Sequence, residues 1–290
     1  MKVRKAVITA AGLGTRVLPA SKSIPKEMLP IVDKPAIQYI VEEVVKAGIT
    51  DILIITSKGK TVMEDHFDRA AELEQRLAAT GKTEMLQSVI NVANMANITY
   101  IRQKETKGLG HAVYCAKTFA DREPIAVLYG DDVIMGDDPA IGQLCRAYEE
   151  FGIGVAGIKE VPSSDIHKYS SLKVDPIRDN LFRISDMIEK PSSPEKVLSL
   201  YSILGRCVLP PEIFDILAET APGAGGEIQL TDAMKQLAHT SSMIGVDFTG
   251  KRYDMGSKLG IMQAAVETAL KHPEIGSAFT RYIKEIAKDL

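Results

Sequence analysis

Cysteine is scarce in this chain: Cys115, Cys145 and Cys207 stand far apart, are odd in number and form no Cys-x-x-Cys pair. A disulfide framework and a cysteine zinc cage are thereby excluded, and the three read as reduced thiols. Long apolar runs are also missing, and the charged start MKVRK leads straight into a short strand where a signal peptide would have its apolar core. The expectation is a cytoplasmic protein that makes no use of a membrane. His66, His111, His167, His239 and His272 have no metal-ligand spacing, and no Gly-x-Ser-x-Gly elbow occurs. Charge of one sign is lacking too: 35 Lys and Arg against 38 Asp and Glu leave a net charge of −3. So weak a field argues against a nucleic-acid-binding surface, and an anionic ligand would need cations gathered locally. Hydrophobic residues at 45% and charged residues at 25% are ordinary globular values that give no case for disorder.

What is present alternates. Lys5 to Ala11 is an apolar run that stops at Gly12-Leu-Gly-Thr-Arg16, a strand feeding a glycine loop. Pro35 stands at a helix start, Ile37, Ile40, Val41, Val44 and Val45 follow at helical spacing, and Gly48 closes the helix. Strands are predicted at Asp51–Thr56, Ile98–Gln103 and Ile125–Tyr129, with polar helical segments from Thr61 to Met95 and an Ala-rich helix after a second glycine loop, Lys107-Gly-Leu-Gly-His111. This order predicts an α/β fold, a Rossmann-like, doubly wound, mostly parallel sheet. Beyond Gly154 the spacing changes. Val155–Lys159, Ser171–Asp175, Ile184–Glu189 and Ile203–Val208 read as strands joined by turns, which should add mixed or antiparallel strands. Helices near Pro211–Glu219, Glu227–His239, Lys258–Lys271 and Ser277–Ala287 finish the chain.

In open parallel sheets ligands bind beyond the carboxyl ends of the strands, where the suggestive residues gather. Gly12 and Gly14 let backbone amides approach an anion, Arg16 offers a rigid fork for phosphate oxygens, and Lys26 adds a mobile charge. The loop fails as a dinucleotide fingerprint, because Val17 stands where a third glycine is needed and Thr56-Ser57 where an acid should end the second strand. It also lacks the Gly-Lys-Ser/Thr of a Walker loop and the kinase motifs.

Ala10-Ala-Gly-Leu-Gly-Thr-Arg16, followed by Ile24-Pro-Lys-Glu-Met-Leu-Pro30 and Asp33-Lys-Pro35, resembles the signature of the nucleotidyltransferases that make nucleoside-diphosphate sugars. Lys107-Gly-Leu-Gly-His-Ala112, Gly130-Asp-Asp132, Glu189-Lys-Pro191, Gly205-Arg206 and Gly223-Ala-Gly-Gly-Glu-Ile-Gln-Leu-Thr-Asp232 are similar to the bacterial glucose-1-phosphate uridylyltransferase branch. The resemblance implies the fold of the nucleotide-diphospho-sugar transferases; with no internal repeat and no low-complexity linker, residues 1–256 are expected to form the nucleotidyltransferase domain and 257–290 a C-terminal helical extension of it. It implies that Ala10, Ala11, Gly12 and Gly14, with Gln103, Gly108 and Asp131, hold the nucleotide, UTP. Arg16 and Lys26 would face the triphosphate, Asp131 and Asp254 would bind Mg2+, Glu189 the sugar hydroxyls and Lys190 the phosphate of glucose 1-phosphate. UDP-glucose and pyrophosphate would be the products, and a homo-oligomer, dimer or tetramer, the assembly. The family's Tyr-Gly beside the sugar is here Tyr169-Ser170, so Ser170 is expected to alter that contact. Asp132 reads either as a support for the metal site or as a turn residue, and His111 as helix-start structure.

The proposed reaction explains these residue types. An oxygen of the sugar phosphate attacks the α-phosphorus of the nucleotide in line, which needs no protein nucleophile and rests on positioning and charge neutralisation. Two unit charges about 4 Å apart at an effective dielectric near 20 interact by roughly 4 kcal/mol, so one cation between the reactants changes the rate by orders of magnitude. A pyrophosphorylase for dTTP or N-acetylglucosamine 1-phosphate fits the same residues. A glycosyltransferase would share the sheet and the aspartates but has no use for Arg16 and Lys26 on a triphosphate loop.

Overall fold

The computed structural model describes residues 1–288. Its strands are β1 (Lys5–Thr9), β2 (Pro30–Ile31), β3 (Lys34–Pro35), β4 (Asp51–Thr56), β5 (Asn97–Arg102), β6 (Ile125–Tyr129), β7 (Asp132–Met135), β8 (Val155–Glu160), β9 (Ser170–Arg178), β10 (Leu181–Glu189), β11 (Tyr201–Leu209), β12 (Met243–Asp247) and β13 (Lys251–Asp254). Nine form one sheet in the order β5-β4-β1-β6-β11-β8-β12-β10-β9. The first four are parallel neighbours, with Val7 of β1 in register with Leu53 of β4 and Val127 of β6. From β6 onward the pairing is mixed: β11 is antiparallel to β6 and β8, β12 is parallel to β8, and β10 is antiparallel to β12 and β9. Only β10 and β11 oppose the common direction, so the expected mostly parallel sheet with added antiparallel strands is what forms.

The central strands are apolar on both faces because helices cover both. Ala6 and Ile8 of β1 pack with Ile37, Ile40, Val41 and Val44 of the helix Ala36–Lys46. Val7 faces the opposite core with Ala112 and Val113 of the helix Leu109–Tyr114. Side chains of successive strand residues alternate between faces, so a strand covered twice reads as an unbroken apolar run. Each fully buried Ile or Val contributes about 1.5–3 kcal/mol by leaving water. Among the described residues no helix is long and apolar enough to cross a membrane.

Several elements depart from the sequence reading. β1 ends at Thr9, so Ala10 and Ala11 belong to the loop. The helix Ala140–Phe151 and the strands β7, β12 and β13 have no counterpart in it. β7 and β13 form a separate antiparallel ribbon in which Asp132 stands opposite Asp254.

Candidate active site

The loops that leave the carboxyl ends of β1 and β6 open onto a cleft of about 1070 Å³. The backbone of the first loop is anchored at its root, where Ala10 N–H donates to Ile55 O at 2.8 Å. Ser21 Oγ closes the loop by donating to Gly14 O at 2.7 Å. A short helical turn, Thr15–Val17, then presents Arg16, whose side chain is 62% exposed and can change partners. Lys26 opens the next turn, Lys26–Met28, and reaches back across the loop to place Nζ 2.6 Å from Asp131 Oδ2.

Asp131 follows β6 and Asp254 ends β13, 123 residues later by the numbering (254 − 131). The ribbon brings them together: Met255 N–H donates to Asp131 O at 2.7 Å, and Arg16 spans both carboxylates, 3.1 Å from Asp254 Oδ2 and 3.5 Å from Asp131 Oδ2. Burial alone would raise the Asp131 pKa, but the charges of Lys26, Arg16 and Arg252 outweigh it and hold the carboxyl below its ordinary value. Burial likewise works against the Lys26 ammonium, yet Asp131 raises its pKa on balance. Asp131 and Lys26 thus sustain each other as ions.

Asp132 has a different surrounding. Arg252 holds its Oδ1 through Nε at 2.8 Å and Nη2 at 2.6 Å, and stacks on the Tyr169 ring at 5.4 Å. Burial, only partly offset by Arg252, raises the Asp132 pKa. Gly205 is required beside it: its φ is 73°, in the left-handed region, and a Cβ there would stand 2.7 Å from Asp132 Oδ2. The neighbouring Arg206 lies outside the cleft. Fully buried, it grips Glu43 through Nη2 at 2.6 Å and Nε at 3.0 Å, while Glu43 also accepts from Ile141 N–H at 2.9 Å, so this motif residue ties helices to sheet.

The second glycine loop is shaped by its neighbour. Ile228 N–H donates to Lys107 O and Gly110 N–H to Ile228 O, both at 2.8 Å, and a Cβ on Gly110 would meet Ile228 O at 2.8 Å. Glycine is needed there for the approach of that backbone. Gln103, buried behind the loop, donates through Nε2 to Gly108 O at 3.1 Å and lies 2.9 Å from His111 Nδ1. Since the Gly108 carbonyl can only accept, the amide orientation is fixed and His111 Nδ1 must be the acceptor. Burial and then Lys107 lower the His111 pKa, in keeping with a neutral ring.

Across the cleft, β10 ends at Glu189, whose Oε2 accepts from Thr231 Oγ1 at 2.8 Å. Lys190 adopts the left-handed region at φ 47°, which costs a non-glycine residue roughly 1 kcal/mol and breaks the strand there. Its side chain is half exposed, with Nζ 3.7 Å from Glu189 Oε1. Ser170 lines the cleft. Its hydroxyl turns into β11, 3.1 Å from Ser202 Oγ, and accepts from Ile203 N–H at 3.1 Å.

Arg16, Lys26, Asp131, Asp254, Glu189 and Lys190 are therefore assembled around one cleft, while Arg252, Thr231, Glu27 and Lys60 escaped the sequence reading. Arg252 shares a ribbon face with Asp254, two residues on, an alternation that shows only once the segment is known to be a strand. On the other face, Lys251 and Tyr253 line a second cavity of about 690 Å³, where Lys251 is paired with Glu267 at 2.6 Å. Glu27 and Lys60 carry no local signal.

A strand-end glycine loop, two converging carboxylates and cations on both walls define a nucleotidyltransferase cleft. A family model described as nucleotidyl transferase matches residues 5–271, and the chain belongs to that family. More particularly, it is 50% identical over 285 residues to a UTP--glucose-1-phosphate uridylyltransferase of Staphylococcus epidermidis, covering 98% of this chain and 99% of that protein. Among solved structures it is similar to a UDP-glucose pyrophosphorylase complexed with UDP-glucose, at TM-score 0.85 and 38% identity, covering 93% of this chain and 100% of that one. It is also similar to the UTP-bound UGPase from Acinetobacter baumannii, at TM-score 0.89 and 36% identity, covering 98% and 99%.

Proposed function

We propose that this chain transfers the uridylyl group of UTP to glucose 1-phosphate, giving UDP-glucose and pyrophosphate. The observation that carries this reading is the meeting of Asp131 and Asp254 on Arg16, beside Lys26, with Glu189 and Lys190 across the same cleft. The names of the relatives support the choice of base and sugar.

Asp131 and Asp254 would hold Mg2+. Among the described residues no group of three or more acidic, histidine or cysteine side chains forms a closed cage. Two carboxylates suit a hard ion that completes its shell with phosphate oxygens and water. When bound, the ion supplies positive charge against the repulsion of the two phosphates.

The chain's own groups do the rest. The amides of residues 11–14 approach the nucleotide, and Arg16 exchanges its carboxylate partners for triphosphate oxygens. Lys26 stays between Asp131 and the α-phosphate, where charge accumulates during in-line displacement. Gln103 has both amino hydrogens committed to Gly108 and His111, so its carbonyl oxygen is left to accept from an N–H of the uracil ring. Glu189, steadied by Thr231, accepts from sugar hydroxyls. Lys190 holds the sugar phosphate as it attacks.

Incubating the protein with UDP-glucose, pyrophosphate and Mg2+ tests the reading. UTP and glucose 1-phosphate should accumulate together. Release of glucose or UDP in their place would point to a glycosyl transfer and overturn it.

A further inference from the structure

Beneath the cleft lies a charged pair that the reaction does not touch. Lys60 follows β4, and its buried ammonium makes three contacts: Ala10 O at 2.6 Å, Glu27 Oε1 at 3.0 Å and Glu27 Oε2 at 2.9 Å. An ammonium has three protons, so each is used. Glu27 is 1% exposed. The partners are 33 residues apart, so the contact is tertiary.

A buried ion pair is a poor means of stabilising a fold, because desolvation offsets the attraction and a well-packed apolar pair of similar size serves as well or better. Here burial pushes the Glu27 carboxyl up and the Lys60 ammonium down, so both partners carry that penalty. What the pair does offer is location. Ala10 is the root of the first glycine loop, and Glu27 adjoins Lys26. One ammonium therefore joins the two loops that present Arg16 and Lys26, at a place where a Cβ on Gly12 would stand 3.7 Å from Lys26 Nζ.

We propose that Lys60 and Glu27 are positioning residues for the triphosphate: by holding Ala10 O they fix the separation between the amides that follow, at residues 11–14, and the ammonium of Lys26. The role rests on the nucleotidyl-transfer reading above, since it matters only if a phosphate chain lies between those groups. Misplacing such groups by about 1 Å costs roughly a hundredfold in rate.

The test is the double variant Glu27→Met/Lys60→Met, which keeps side-chain volume and removes both charges. Its thermal midpoint should equal or exceed that of the parent. Its KM for UTP should rise at least tenfold and its kcat fall, while KM for glucose 1-phosphate changes less than threefold. Amide hydrogen exchange at residues 10–16 should quicken with no change at Leu53 or Val127 in the sheet. That readout needs no turnover, so it separates failure of this inference from failure of the functional reading. Parent-like exchange in the loop together with a parent-like KM for UTP would overturn the positioning role. If the double variant does not fold, Glu27→Asp shortens the tether by one methylene and keeps the charge. It should raise KM for UTP severalfold, and a value within experimental error of the parent would overturn the proposal.

Discussion

The two halves of the sheet solve their binding problems differently. In the half built from β5, β4, β1 and β6, every neighbour is parallel, the inner strands β4, β1 and β6 are buried on both faces, and the ligand-facing groups lie on loops that follow strand ends. In the half built from β11, β8, β12, β10 and β9, direction is mixed, and the cleft is lined by side chains from strands and from a helix start, such as Glu189 and Thr231. On the proposed reading, the first half offers backbone amides and the cations Arg16 and Lys26 to the phosphates of a nucleotide. The second offers hydroxyl-matching side chains, so the choice of sugar should reside there.

The sharpest way to break this contrast is Asp131→Asn in the nucleotide half. It removes the anion that holds Lys26 and should lower kcat by about 10³-fold while the circular dichroism spectrum is retained. Steady-state rates within tenfold of the parent would deny Asp131 its role.

Next in size is Arg206→Met. It strands the buried Glu43 carboxylate and should cost about 3–5 kcal/mol in a urea melt, with kcat and both KM values of the folded protein unchanged. A large kinetic effect at unchanged stability would move Arg206 into the active machinery.

Lys190→Ala should reduce kcat/KM for glucose 1-phosphate about 10²-fold and leave UTP binding by titration calorimetry within a factor of three. Equal losses for both substrates would erase the division between the halves.

The smallest effect expected is a pH dependence. The Asp131 pKa is lowered on folding, so its contribution to stability is complete above the ordinary carboxylate value of about 3.9 and is lost only as pH falls through the lower folded value. The gap in melting temperature between parent and Asp131→Asn should be the same at pH 7 and pH 5 and should shrink below pH 4. A gap that already closes between pH 7 and pH 5 would mean the carboxyl is not held low.

The same contrast explains what could be read from the chain alone. Asp51–Thr56 and Ile125–Tyr129 were legible to the residue, because strands buried on both faces are unbroken apolar runs ended by polar or glycine residues. Arg16, Lys26 and the glycine loop were legible because phosphate binding uses few residue types at short range. The ribbon was not. Four residues with the pattern Lys-Arg-Tyr-Asp give too little periodicity to separate strand from loop, so the partnership of Asp132 with Arg252 stayed hidden. The helix Ala140–Phe151 was passed over although Gly152 at φ 69° marks its end. Glu27 and Lys60 look like any exposed pair until the fold buries them, and nothing in Gly205-Arg206 as a sequence shows that the guanidinium points into the core.

The double rung between Lys107–Gly110 and Ile228 has a mechanical consequence. It rivets the rear of the second glycine loop to the segment that continues into Thr231, on the side of Glu189. Opening along that edge would have to break both rungs. If the proposed reaction holds, room for a leaving pyrophosphate should open at the rim lined by the exposed Arg16 turn and the start of the helix Lys258–Lys271.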